Sequence, residues 1–338
     1  MMNESQEIDA SPGDREAGLI FGVVLDGHGG GQKIDFEAAK SWTPKTETEV
    51  LWLHLDRTKP DVPDWLEKGL GISDATADVL VSNETRPRAF REDDTLVAML
   101  RGLNFNPGDE PEDMIAMQLW SDGRRVLTLR RRRLQTPRDI RTSLIYDNGP
   151  KTAGELVSGL IEALVSKMNR VILDLNNRID DLEDDAETDK IEDALDQISG
   201  IRRNCLALKR YMSPQHEALM AISRDAPDWM DEDDRRNVRE TIARLQRYLD
   251  DLDVSKESAL VIQDDLNSRA NSQSNKTMYM LSIVAAIFLP LSFITGLLGI
   301  NVGGMPGVES TNAFWVTVTA LVVLLLAQVV IFRKLKWL

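Results

Sequence analysis

The chain has 338 residues, 28% of them charged, and a formal net charge of −15 at pH 7. That balance argues against a nucleic-acid partner and suits attraction of cations. The charge is unevenly spread, dense up to Lys276 and nearly absent after it. In chain order, residues 1–17 are polar at the start and predicted as a flexible tail. Residues 18–150 read as a mixed α/β domain. Strands are predicted at Leu19–Leu25, Val50–Leu55, Thr95–Arg101, Ile115–Trp120 and Val126–Arg130, which are apolar or alternating and bounded by turn residues. Asp122-Gly123 suits a tight hairpin turn between the last two. Helices are predicted at Pro63–Leu70 and Asp74–Val81, the latter capped by Ser73.

After Pro150 the texture becomes helical, and 151–277 is predicted as a helical stalk. Thr152–Asp185 repeats apolar residues every three or four positions: Leu156, Leu160, Leu164, Met168, Val171, Leu175, Ile179 and Leu182. Lys190–Ser223 is a second helical stretch. Pro227 breaks the chain, and a third helix is predicted from about Asp228. No stop signal precedes Ile300, so this helix extends over 73 residues, roughly 110 Å at 1.5 Å per residue. Pro290 lies inside it, which neighbouring helices tolerate within a membrane.

Met278–Ile300 has no charged residue over 23 positions, and Ala313–Phe332 has none over 20. A bilayer needs roughly 20 apolar helical residues, so 278–300 and 313–332 are predicted as transmembrane helices. Their place late in the chain excludes a signal peptide. Arg269 and Lys276 precede the first span, and Arg333, Lys334 and Lys336 follow the second within the basic tail 333–338. The connector 301–312 has no Lys or Arg and one acid, Glu309. The positive-inside rule then puts both termini in the cytoplasm and the connector outside. Phe314, Trp315 and Trp337 stand where aromatic belts form.

The third helix carries a stripe on one face, at a repeat near 3.5. Before the first span it reads Asp250, Asp253, Glu257, Asp264, Ser268, Asn271, Asn275. Within the span it reads Met278, Ser282, Ala285, Leu289, Ser292, Gly296, Gly299. Two readings are open: a pore lining shared by several copies, or a close helix–helix contact made by small residues. Two spans cannot enclose an aqueous path, so a pore implies a homo-oligomer. Asp264, Glu257 and Asp253 would then form carboxylate rings that concentrate cations, and Glu309 would do so on the outside.

The span ends in Gly299-Ile300-Asn301, followed by Val302-Gly303-Gly304-Met305-Pro306-Gly307. With the uncharged span, its proline, the second span and the basic tail, this resembles the CorA superfamily of divalent cation transporters, whose signature at this place is Gly-Met-Asn. The resemblance is strongest over Asn275–Gly307; length, domain order and helical layout agree along the chain. Ile300 departs from the magnesium-type Met and, with the Gly-Gly-Met-Pro-Gly connector, looks like the zinc-transporting branch, ZntB. The resemblance implies an α+β cytoplasmic domain, a long helical stalk and two C-terminal transmembrane helices in a funnel-shaped homopentamer. It also implies a bacterial inner membrane location and a ring of Asn301 at the outer pore mouth, which meets the hydrated ion. Asn275 and Met278 match the inner constriction. The cargo the resemblance implies is Zn2+, with Mg2+, Co2+ and Ni2+ as alternatives, and no catalytic cofactor is expected.

The remaining motifs point elsewhere only weakly. Gly27-His28-Gly29-Gly30-Gly31 lacks the endings of phosphate loops and reads as a flexible hairpin. Arg130–Arg133 is expected to pair with the acidic helices. His28, His54 and His216 are scattered, no spacing suits a structural zinc site, and no nucleophile–histidine motif supports an enzyme. Cys205 is the single cysteine and reads as a buried thiol. Asp180–Asp196 has ten acids and one base, Lys190, a solvated surface or a regulatory cation site. A two-span membrane-anchored scaffold and an enzyme tethered by the spans are the rival classes.

Overall fold

The computed structural model describes residues 11–184, 191–300, 307 and 310–335. They form two compact units that divide between Ile262 and Gln263. The first holds a seven-stranded sheet: β1 (Leu19–Leu25), β2 (Gly31–Lys33), β3 (Val50–Asp56), β4 (Arg88–Glu92), β5 (Thr95–Gly102), β6 (Ile115–Ser121) and β7 (Arg125–Arg130). The strand order is β2-β1-β3-β7-β6-β5-β4. Every pairing is antiparallel except β3 with β7. Central strands are apolar on both faces because helices cover both. β3 reads Val-Leu-Trp-Leu-His-Leu before Asp56, all buried, each large side chain contributing about 1.5–3 kcal/mol by leaving water.

One sheet face packs Leu51, Leu53, Leu55, Val97, Met99, Leu127 and Leu129 against Val62, Trp65, Leu66 and Leu80. The last four come from the segment holding α3 (Asp61–Asp64) and α4 (Asp74–Val81). Ser73 caps α4 as predicted, its hydroxyl accepting from Thr76 N. The helix predicted over 63–70 instead begins at Asp61 and widens into a π-helical turn, Trp65–Gly69, where Leu70 N donates to the Trp65 carbonyl at 3.0 Å. The other face holds Phe21, Trp52, His54 and Thr128. His54 is buried beside Thr128 Oγ1 at 2.9 Å, and burial holds its pKa well below the usual value, so it stays neutral. Helix α5 (Gln135–Ile145) covers this face, with Arg141 over the Phe21 ring.

The polar start contains more structure than a flexible tail: residues Pro12–Glu16 form helix α1, with Ser11 and Asp14 in a reciprocal capping box. Residues 1–10 lie outside the described residues. Asp122 and Gly123 make the turn between β6 and β7; Gly123 sits at φ 82°, and the Asp122 carboxylate accepts from the Arg124 and Arg125 amides. The glycine-rich segment closes the β1–β2 hairpin, tied by Asp26 accepting from the His28 and Gly30 amides. Those donors hold the Asp26 carboxyl below its usual range. Two strands were not predicted: β2, which is short, and β4, an edge strand. A short α2 (Phe36–Lys40) follows β2. Among the described residues the Arg130–Arg133 run makes no ion pair with the acidic helices. β7 stops at Arg130, and Arg132 pairs with Asp109 in the β5–β6 loop.

The helices continue as α6 (Ala153–Ser166), α7 (Met168–Asp184) and α8 (Ile191–Arg224). The periodic stretch from Thr152 is two helices, separated at Lys167, whose ammonium pairs with Asp139. After this break Ile172, rather than Val171, takes the core position. Residues 185–190 of the acidic segment lie outside the described residues. Cys205 is buried in α8, which pushes its thiol up to about 11.

Helix α9 (Glu232–Leu298) is continuous over 67 residues. It starts after a turn around Pro227, later than Asp228. The Asp231 and Asp234 carboxylates accept from each other's backbone amides at 2.9 and 3.1 Å. Asp234 fits because residue 154 is glycine: a Cβ there would stand 1.8 Å from Asp234 Oδ2. Within the first unit α9 buries Val238, Ile242, Leu245, Leu249, Leu252 and Ala259. Asn237 and Arg244 reach Glu162 on α6, and Ser255 donates to Asn176 on α7 at 2.6 Å. The second unit contains the rest of α9 and helix α10 (Ala313–Lys334), both long and apolar enough to cross a membrane.

Candidate functional site

In the second unit, α9 has two distinct faces. Ile283, Ala286, Ile287, Pro290, Leu291 and Ile294 are partly covered. On α10 the partly covered positions include Thr317, Leu321, Leu324 and Gln328, spaced by three or four. On both helices these partly covered positions recur at helical spacing and so fall on one face. At 3.5 residues per turn the stripe lies on the opposite side of α9. Asn275, Met278, Ser282, Ala285, Leu289, Ser292 and Gly296 are all exposed, Met278 by 60% and Leu289 by 74%. Among the described residues nothing covers the small and polar face of this span.

Local bonding sets what this face offers. The Ser282 hydroxyl donates to the Met278 carbonyl at 2.9 Å, and Thr295 Oγ1 donates to the Leu291 carbonyl at 3.0 Å. A hydroxyl with its proton so engaged presents lone pairs, a neutral acceptor rather than a charge. Gly296 has no atom within 4 Å of where a Cβ would stand, so the face is open there. Pro290 supplies no backbone N–H, which frees an upstream carbonyl inside the span. The helix closes at Gly299, whose amide donates to the Thr295 carbonyl at 3.0 Å. Gly299 and Ile300 are exposed. Asn301 and Glu309 lie outside the described residues.

The acids predicted to gather cations differ in their surroundings. Asp264 is exposed and has no ion pair among the described residues, whereas its neighbour Asp265 pairs with Arg269 at 2.7 Å. Glu257 is exposed. Asp253 is held by Lys209 on α8 at 2.5 and 2.6 Å, so its charge is compensated. Asp250 accepts from Gln246. Among the described residues no three His, Cys, Asp or Glu side chains cluster as a metal site.

An α/β and helical portion followed by two helices long and apolar enough to cross a membrane, the first with an exposed stripe of small and polar residues, fits the class of membrane proteins. The family model described as "CorA-like Mg2+ transporter protein" matches residues 47–334. The divalent cation transporter CmaX of Pseudomonas aeruginosa is 37% identical over 327 residues, 96% of this chain and 98% of its own. The zinc transport protein ZntB of Pectobacterium atrosepticum is 33% identical over 330 residues, 96% of this chain and 97% of its own. The structure of full-length CmaX matches with a TM-score of 0.82 at 36% identity, covering 95% of this chain and 98% of that one. The chain belongs to the CorA family of membrane transporters.

Proposed function

We propose that this protein carries divalent metal cations, zinc foremost, through a central pore formed by five copies in a bacterial inner membrane. Divalent cation transport is the activity of its family. Zinc rests on Ile300 in the signature and on the relatives named ZntB; magnesium, cobalt and nickel are the competing cargoes. The observation that carries the pore is the stripe of small and polar residues on α9, exposed along the span. One such helix per copy around an axis makes a lining from faces that otherwise serve no purpose against lipid.

In this arrangement Asn301 forms the outer ring that meets the hydrated ion, beside Gly299 and Ile300. Ser282, Ala285, Leu289, Ser292 and Gly296 line the path, and Met278 and Asn275 form its inner constriction. Asp264 and Glu257 concentrate cations at the inner mouth and Glu309 at the outer one. Asp253 contributes less, because Lys209 compensates it. Both termini are cytoplasmic. The test is metal flux into liposomes holding the purified chain, for Zn2+, Mg2+, Co2+ and Ni2+ in turn, with and without a pH gradient. Zn2+ flux above the other metals is expected. The mass of the detergent-solubilised particle reads the copy number; a monomer or dimer under mild conditions overturns the pore.

A further inference from the structure

The α/β domain has a second feature that the transport reading does not use. Strands β3 and β7 are parallel neighbours, and β5 runs in their direction because β5 and β7 both pair antiparallel with β6. The carboxyl ends of all three therefore share one edge of the sheet. From β3 the chain departs to the face of Leu51, Leu53 and Leu55; from β7 it departs to the face of Phe21 and His54. Parallel neighbours whose continuations leave to opposite faces open a crevice at their carboxyl ends, a recurrent place for ligands in α/β sheets.

A cavity of about 430 Å³ lies at this edge, within the size range of small-molecule sites. Four guanidinium groups line it: Arg57 just after β3, Arg101 at the end of β5, and Arg131 and Arg132 just after β7. Asp113 is the one acid in the lining. Two of the four cations are already engaged. Arg101 donates to the Thr85 carbonyl and hydroxyl and to the Met114 carbonyl, and lies 4.0 Å from the Tyr211 ring centroid. Arg132 pairs with Asp109. Like Arg101, neither Arg57 nor Arg131 has a bonded carboxylate among the described residues. Arg57 is anchored through one nitrogen to the Val81 and Ser82 carbonyls at 2.8 and 2.9 Å, while its Nε is buried with no hydrogen-bond partner among the described residues. Arg131 is exposed and has no ion pair among the described residues. Burial and the Arg131 charge lower the Arg57 pKa, with Asp56 acting in the opposite sense.

We propose that this crevice binds a phosphate-bearing anion of up to nucleotide size, gripped between Arg57 and Arg131. Guanidinium N–H groups match phosphate oxygens, and two cations with no bonded carboxylate call for a ligand with at least two negative charges. Arg101 and Arg132, fixed by their own partners, set the positive wall behind it. In a chain of net charge −15 such a local excess of positive charge is a specific feature rather than a general one.

The test uses the full chain in detergent, in metal-free buffers of matched ionic strength, titrated calorimetrically with sodium phosphate and separately with ATP. Saturable binding of at least one of the two is expected. Arg131→Gln, which alters an exposed side chain, should weaken it by about tenfold or more. Arg57→Gln should do the same, with its unfolding midpoint measured alongside because it also releases the Val81 and Ser82 carbonyls. Binding of ATP but not phosphate identifies a nucleotide-type ligand; binding of both identifies a general phosphate site. Absence of saturable binding overturns the proposal, as does unchanged affinity in Arg131→Gln or an effect that sodium chloride reproduces. A change of particle mass in Arg131→Gln, with no phosphate binding by the unmodified chain, also overturns it and makes the crevice a contact between copies.

Discussion

The start of α9 makes a pH-dependent prediction. Asp234 is 3% exposed, pressed against Gly154, and accepts from the Asp231 amide and the Ser158 hydroxyl. Burial outweighs those bonds and pushes its pKa from 3.8 up to about 6, with the neighbouring Asp231 and Glu155 charges acting in the same direction as burial. The folded state then binds more protons than the unfolded chain between those two values. The stabilising contribution of the protonated carboxyl is fully present below 3.8 and is lost as pH rises through 6. A shift of about two units corresponds to ~3 kcal/mol at most, or roughly 6–12 °C in the unfolding midpoint of a unit this size. Asp234→Asn removes the titration while keeping a side-chain acceptor at the third helical position. The unfolding midpoints of the two proteins should be followed in detergent from pH 4 to pH 7. The midpoint of the unmodified protein minus that of the variant should fall by several degrees across that interval. Parallel curves would refute the claim that burial dominates at this carboxyl.

Three further predictions concern the transport path. Asn301→Ala should nearly abolish zinc flux into liposomes while particle mass stays unchanged; Asn301→Asp should keep flux but alter the ranking of metals. Asp264→Ala should lower flux severalfold at low metal and low salt, where steering by charge is strongest, and leave the unfolding midpoint unchanged because the side chain is exposed. Glu309→Cys should react with a membrane-impermeant maleimide added outside intact cells. The native Cys205 is buried, with its thiol pushed up to about 11, and contributes little background. Labelling solely from the cytoplasmic side reverses the proposed orientation.

The elements legible in the sequence were those whose burial matches their own periodicity. β1, β3, β5, β6 and β7 are strongly apolar, and the ends of the predicted strands agree with the structure to within about one residue. Ser73 marked its helix because a hydroxyl at that place satisfies an amide the helix leaves open. Other elements hide their reason in tertiary contacts. α5 buries Thr136, Pro137, Arg141 and Leu144, a face with no apolar pattern. β4 reads Arg-Ala-Phe-Arg-Glu and is held at the sheet edge by β5 and by the α8–α9 turn, where Arg91 reaches the Ala226 carbonyl. The break at Lys167 has neither glycine nor proline. The stripe on α9 was visible because one long helix keeps its phase. The arginine crevice was not, because Arg57, Arg101 and Arg131 meet only through the order of the strands.

The chemistry of the stripe bears on how selectivity arises under the proposed function. From Met278 to Ile300 the chain has no Asp, Glu, His or Cys, so no ring in this span can replace the inner ligands of a zinc ion with charged or imidazole donors. Tight chelation would in any case release the ion too slowly for conduction. What the face offers is neutral oxygen in the hydroxyls of Ser282 and Ser292, to which the proposed function adds the amide of Asn301. Such groups accept hydrogen bonds from an ion's own water. Divalent ions hold that water tightly, magnesium above all. A path of neutral acceptors thus favours passage of a hydrated or partly hydrated ion, with the concentrating charge kept to exposed acids such as Asp264 outside the uncharged span. The division of labour is physical: acids raise the local concentration where water screens them, and amides and hydroxyls make contacts weak enough to break. A carboxylate introduced at Ser292 should therefore bind zinc more tightly and pass it more slowly. Faster zinc flux in Ser292→Asp, in a correctly assembled particle, would show that the span is limited by too little charge and not by release.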